Sequence, residues 1–348
     1  MTEEDMSGKR KVYIDIIRII AIIMVLWNHR YTYWGVNAES DWLVLKSIAA
    51  FWCKMGAPLF LMVSGELLLG KDESFKYIIT HRVLRIVVVM IILTLMKSLN
   101  YLTVSNVLEI FLTGLNWYLY AYIGWLFMLP FLRKIARYTS TREKIIYIGL
   151  VSLLYMADSV KTLTCKTLLG NFTDFTSIYW SEGTHGLWQV VYPLIGFFTI
   201  QLLKDKSILK RNFLLIFLVV GSGVSLFLSV CLYIRDLKLN GANYEMLRQD
   251  FIVLPCILMY VVIYKMCQNL RVKAKTIISE IASCTFGVFL LETNTDIKAL
   301  WIPAIKTITS RIGIDNYCFA VIEIVISFIL YTGIIWVIRR ISVVRKIL

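Results

Sequence analysis

Long apolar segments alternate with short polar stretches along the whole chain. A helix needs about 20 predominantly apolar residues to cross the hydrocarbon core of a bilayer. Ten segments approach that length, at roughly residues 12–34, 43–69, 76–99, 115–137, 143–158, 185–203, 212–234, 249–269, 276–297 and 316–338. The pattern predicts an all-α polytopic membrane bundle of about ten transmembrane helices.

Composition supports this interpretation. Of the 348 residues, 58% are hydrophobic and only 17% are charged, and the mean hydropathy is +0.71. The net charge of +14 would by itself suggest a nucleic-acid partner, but a bilayer protein needs its lysines and arginines at cytoplasmic loops. We therefore expect a lipid bilayer and no nucleic acid as partner. The seven cysteines form no CxxC pair, which argues against a disulfide scaffold or a metal site.

The charges also predict sidedness. With ten spans and a cytoplasmic N-terminus, most lysines and arginines fall in the cytoplasmic segments, as the positive-inside rule requires. We expect cytoplasmic tails at 1–11 and 341–348 and one membrane domain at 12–340. The longest polar stretch, about 159–184, then faces outward, either as a simple loop or as a lip over an acceptor site.

The first apolar segment carries Asp15, Arg18 and His29. Asp15 and Arg18 are three residues apart, so they are neighbours on one helix face and can pair. Arg18 and His29 are eleven apart, which places them on the same face at about 16 Å along the axis. A structural explanation of these residues is that Arg18 reaches the inner headgroups and that His29 lies in an interfacial aromatic belt. Because charges in hydrocarbon are costly, the three are also candidates for a functional site.

A second cluster lies where the second span returns to the cytoplasm. Arg82 and Arg85 are three apart and could together hold phosphate groups, or could serve only as positive-inside anchors. Ser64 and Glu66 flank a glycine within the second span, where the glycine would allow close helix packing. Glu66 needs a partner, for which Arg18 or Arg85 are candidates.

Four further residues are weaker candidates. Trp117 and Tyr118 open the fourth span, where an interfacial aromatic belt is the simpler interpretation. His185 begins the sixth span at its outer end, where a solvated histidine is expected. Glu292 lies in the ninth span near the exterior, and a buried acid there indicates function.

Several motifs together resemble the acyltransferase-3 family of polytopic bacterial membrane acyltransferases. They are the run from Asp15 through Arg18 to His29, APLFLMVSGELL, the two-arginine motif of Arg82 and Arg85, NWYLYAYIGWLFMLPFLRK, YPLIGFF and SCTFGVFLLE. The resemblance covers nearly the whole chain. This sequence departs from it at Leu115-Asn116 and at Glu292, where many members have a histidine.

The resemblance implies an acyl-CoA-dependent O-acyltransferase of the bacterial cytoplasmic membrane. It would move an acyl group, most simply acetyl, from cytoplasmic acetyl-CoA to a hydroxyl of an exported or lipid-linked cell-envelope glycan. Arg82 and Arg85 would hold the phosphates of CoA, and the thioester would pass between the first three helices. His29 would be the general base, Arg18 would neutralise charge, and Asp15 or Glu66 would orient Arg18. Direct transfer and passage through an acyl-enzyme, such as an acyl-histidine, both stay open. No permanently bound cofactor is expected, because acyl-CoA is a substrate.

Two alternatives remain open. A transporter or permease of a small polar or glycan substrate would use the same intramembrane charges as a substrate or proton pathway, although it has no need of paired arginines for phosphate. A scaffold subunit of an envelope-polysaccharide assembly would not depend on His29. The enzyme hypothesis also allows proteins of an envelope-polysaccharide assembly as partners.

Overall fold

A computed structural model describes residues 11–30, 42–98, 103–168, 185–205, 212–240, 251–267, 270, 272–294, 298, 301–304, 307–308 and 316–347. All regular secondary structure in these residues is helical, so the predicted all-α class is confirmed. In chain order the helices are α1 (Val12–Arg30), α2 (Leu43–Cys53), α3 (Gly56–Leu68), α4 (Phe75–Tyr77), a π-helix (Ile78–Val83), α5 (Leu84–Ser98), α6 (Val104–Leu112), α7 (Trp117–Tyr138), α8 (Thr141–Leu168), α9 (His185–Lys204), α10 (Asn212–Asn240), α11 (Val253–Met266), α12 (Val272–Glu292), α13 (Asn316–Ile338) and α14 (Ser342–Ile347).

Within the described residues, five helical segments have the length and apolar character needed to cross a bilayer. They are Val12–His29, Leu43–Leu68, Phe75–Ser98, Leu214–Arg235 and Ala320–Ile338. A sixth is obtained if α6 and α7, which meet at a bend of 67°, form one broken span. Each of the ten predicted spans contains helix, but ten crossings and the cytoplasmic position of both termini stay predictions.

Helices α6 and α8 differ from what the apolar pattern predicted. Helix α8 continues to Leu168 and so includes residues 159–168, which were expected in an outer loop. Helix α6 was not predicted at all. The side chain of Thr103 caps it by accepting a hydrogen bond from the backbone N–H of Asn106 at 3.2 Å. A polar side chain that bonds to nearby backbone thus starts a helix outside the apolar segments.

The chain divides into two compact units, the first formed by Met1–Val63 and Lys206–Val337 and the second by Ser64–Asp205 and Ile338–Leu348. In the first unit α1 packs against α12, α11 and α2, and α10 packs against α2 and α11. In the second, α7 packs against α9, α8 against α9, and α5 against α6 and the π-helix. The prediction of a single membrane domain over 12–340 is neither supported nor contradicted by this division.

Capping and close packing fix the helices of the second unit. Ser140 and Glu143 form a reciprocal capping box at the start of α8, with bonds of 3.3 and 2.7 Å. Gly65 in α3 lies so close to α9 that a Cβ atom there would overlap the carbonyl oxygen of Pro193. The expected role of this glycine in close helix packing is confirmed.

Candidate active site

His29 lies in the last turn of α1 and contacts the last residue of α12. Its ring nitrogen Nδ1 is 3.2 Å from Oε1 of Glu292, whose side chain is wholly buried. The histidine side chain itself is 27% exposed. Among the described residues no partner is found for Nε2 of His29. One ring nitrogen is therefore held by a buried carboxylate, while the other can meet a ligand.

Glu292 has a second partner. The ammonium nitrogen of Lys298 is 3.3 Å from the same Oε1 atom, and the lysine side chain is 22% exposed. A buried carboxylate is stable only when charge and hydrogen bonds compensate its lost hydration. Here a lysine and a histidine both approach it. Glu292, a candidate from its position in the sequence, is thus joined directly to His29.

Asp15 marks the opposite end of the contact between α1 and α12. It is 1% exposed, and its Oδ2 accepts a hydrogen bond of 2.7 Å from the hydroxyl of Ser279. Asp15 precedes His29 by 14 residues and Ser279 precedes Glu292 by 13, so the two helices run in the same direction. Arg18 is half-buried between these two contacts on α1.

Arg82 belongs to the second unit and pairs with an acid. Its Nε and Nη2 atoms donate to the carboxylate of Glu73 at 2.9 and 2.5 Å. Glu73 also accepts from Nη2 of Arg133 at 3.0 Å. The bond from Arg82, with that from Arg133, holds the pKa of Glu73 below its ordinary value, although partial burial opposes this.

Arg133 ties this acid to the end of α3. Its guanidinium donates to the carbonyl oxygens of Leu68 at 3.0 Å and Glu73 at 2.8 Å, and the residue is 7% exposed. Two of the five N–H donors of Arg82 are used by Glu73, which leaves others for a ligand. Of the predicted arginine pair, Arg82 contacts Glu73, and Arg85 is exposed in the first turn of α5. The π-helix that carries Arg82 is a rare element, often found at functional sites.

The remaining sequence candidates lie in the second unit. Ser64 is half-buried and Glu66 is buried, both in α3. At the start of α7, the ring of Trp117 meets that of Tyr118 edge to face at 5.8 Å, and the ring of Tyr118 stacks on Tyr122 at 6.0 Å. His185 begins α9, but its side chain lies outside the described residues.

Sequence reasoning missed several charged residues. None of Glu73, Arg133 and Lys298 was singled out as a candidate. Glu323 is 0% exposed in α13 and Lys54 is 7% exposed at the break between α2 and α3. The rule that a charge within a membrane span marks a site candidate would have identified these last two.

A family model described as an acyltransferase domain matches residues 11–340. No curated protein matches the chain. No solved structure matches it either.

Proposed function

The chain belongs to the acyltransferase-3 family, and from that membership, which supports a membrane acyltransferase, we propose its reaction. The protein moves an acyl group, acetyl in the simplest case, from cytoplasmic acyl-CoA to a hydroxyl of an exported or lipid-linked cell-envelope glycan. The single observation that carries the chemical step is the contact of His29 with the buried Glu292. The proposed location is the bacterial cytoplasmic membrane, crossed several times.

His29 is the proposed general base. An ionised Glu292 accepts the Nδ1–H of His29, so the lone pair of the imidazole lies on Nε2. The acceptor hydroxyl gives its proton to Nε2, its oxygen forms a bond to the thioester carbonyl carbon, and the carbon–sulfur bond breaks. The proton then passes to the thiolate of CoA, which leaves as the thiol. This division of roles within a histidine–carboxylate pair is the usual way to orient a base.

Arg18 and Asp15 have supporting roles in this proposal. Arg18 is half-buried on α1 and would compensate negative charge on the donor. Asp15 is held by Ser279 and shares the helix of Arg18, three residues away. Its negative charge would balance and orient the arginine, as their spacing allows. The sequence expectation that Glu66 serves instead stays open.

Arg82 and Arg85 are the proposed holders of the CoA phosphates. Glu73 fixes the orientation of the Arg82 guanidinium through two hydrogen bonds, while donors on its other edge are available for phosphate. Arg85 is exposed and adds a second positive charge. Acyl-CoA is a substrate here, so the proposal includes no resident cofactor.

The test uses purified protein in nanodiscs with labelled acetyl-CoA. We expect saturable binding by the wild type, loss of binding in the Arg82→Ala/Arg85→Ala double variant, and retained binding without transfer in His29→Ala. General bases contribute on the order of 10² to 10⁴ in rate, so residual turnover of His29→Ala should be at most about 1%.

Two matched controls accompany these variants. Arg137→Ala/Arg142→Ala removes two exposed arginines from the same unit. His81→Ala removes an exposed histidine that stacks on Tyr77 at 4.2 Å. Both should bind and turn over acetyl-CoA as the wild type does. Normal turnover by a folded His29→Ala would remove the base assignment. Absence of acetyl-CoA binding by folded wild type would favour another acyl donor, or a transporter.

A further inference from the structure

The neighbourhood of His29 contains a charge that its proposed role does not yet explain. Glu292 is wholly buried, and the same oxygen, Oε1, receives both Nδ1 of His29 and Nζ of Lys298. Lys298 comes from the segment that follows α12, where its backbone N–H bonds to the carbonyl of Asn294 at 3.4 Å. The ammonium group of Lys298 therefore contacts the last residue of α12, the helix that precedes it in the chain.

The state of Glu292 decides which ring nitrogen of His29 is free. An ionised carboxylate only accepts, so it selects the tautomer with the proton on Nδ1 and leaves Nε2 as the base. A protonated carboxyl group can donate to Nδ1 instead, and the proton of the imidazole then moves to Nε2. In that state the exposed nitrogen cannot take a proton from an acceptor hydroxyl.

Burial by itself favours the inactive state. A carboxyl group removed from water tends to be neutral unless a positive charge compensates it. His29 could compensate only by becoming an imidazolium, which is no longer a base. Lys298 provides the compensation without using the histidine, because an ionised Glu292 with a protonated Lys298 is a neutral pair beside a neutral imidazole.

We propose that Lys298 is a positioning residue that keeps Glu292 ionised and thereby holds His29 in the tautomer with a free Nε2. The proposal rests on the proposed function for its catalytic consequence. Its structural consequence, the tautomer of His29, is independent of any substrate. Lys298 acts through Glu292 and need not touch the acyl donor or the acceptor.

The experiment is imidazole nitrogen NMR on histidine-labelled protein in nanodiscs. The chain has three histidines, so the spectrum is simple and His29→Ala assigns the signal. In wild type we expect protonated Nδ1 and unprotonated Nε2 for His29. In Lys298→Met we expect the Nε2-protonated form to increase, together with the infrared carbonyl band of a protonated carboxyl group. That band should be absent from Lys298→Met/Glu292→Gln.

Turnover provides the second measurement. Lys298→Met should lower kcat by about 10- to 100-fold, which is part of what a general base contributes, with acetyl-CoA affinity unchanged. Lys298→Arg keeps the positive charge and should restore the wild-type tautomer and most of kcat. Lys238→Met, which removes an exposed lysine of α10, is the matched control and should change neither.

The outcomes separate the two proposals. A wild-type His29 tautomer in folded Lys298→Met, or failure of Lys298→Arg to restore what Lys298→Met loses, would overturn the role of Lys298. If the spectra change as expected while wild-type protein transfers no acyl group, the role of Lys298 stands and the proposed function fails. If His29→Ala loses acyl transfer but Lys298→Met leaves the His29 tautomer unchanged, the assignment of His29 as the base stands and the role of Lys298 fails.

Discussion

Replacement of Arg133 by glutamine should destabilise the second unit far more than the loss of one positive charge alone would. The guanidinium makes three hydrogen bonds, to the carbonyl oxygens of Leu68 and Glu73 and to the carboxylate of Glu73. Arg133→Gln shortens the side chain and removes this fork. The end of α3 and the segment that leads to α4 then lose their link to α7.

The expected loss in the free energy of unfolding follows from the burial of the Arg133–Glu73 ion pair and from the hydrogen bonds that Glu73 keeps. Removing one partner of a buried ion pair costs about 3 to 5 kcal/mol. Glu73 keeps its two bonds to Arg82 and is 16% exposed, so water can replace part of what is lost. We therefore expect the lower end of that range, about 3 kcal/mol in the free energy of unfolding.

Arg137→Gln is the matched control, because it lies one helical turn further along α7. Its ion pair with Asp72 is 3.7 Å long, and the two side chains are 62% and 94% exposed. Such a surface pair contributes about 0 to 1 kcal/mol. Equilibrium unfolding in mixed micelles, followed by tryptophan fluorescence, should separate the two variants clearly. Equal and small losses in both would refute the structural role assigned to Arg133.

Two further predictions concern the same unit. Gly65→Ala places a Cβ atom against a backbone oxygen of α9, so we expect a large loss of thermal stability and of folded yield. Gly149→Ala adds its methyl group into open space and should lose neither. The lowered pKa of Glu73 contributes stability that is fully present above the ordinary value of 4.5 and lost as pH falls through the lowered value. Unfolding measured across that acid range should show a pH dependence that is reduced in Glu73→Gln, and an unchanged dependence in that variant would contradict the assignment.

The helices could largely be predicted from the sequence, because apolar segments of bilayer length produce a strong local pattern. The pattern could not locate α6, which owes its start to the Thr103 cap, or the end of α8. The start of α6 depends on a local polar contact rather than on mean hydropathy. Helices α1 and α12 run in the same direction, as the first and ninth spans do in the predicted topology.

Only part of the candidate site could be predicted from the sequence. His29 and Asp15 could be singled out because a charged or titratable residue in an apolar segment is unusual. Their observed partners, Glu292 and Ser279, are 263 and 264 residues away along the chain. Spacing along one helix can suggest a neighbour such as Arg18, but it contains no information about which distant helix packs alongside. The same limit explains why Glu73 was not linked to Arg133, 60 residues away.

The two contacts between α1 and α12 also have a mechanical consequence. Asp15–Ser279 and His29–Glu292 are separated by about 20 Å along the helices, from the rise of 1.5 Å per residue. Sliding of one helix past the other by a single turn would break both contacts at once. Rotation about either helix axis would do the same. A movement that slides or rotates α1 against α12 therefore has to break both contacts, whereas a movement of the two helices together keeps them.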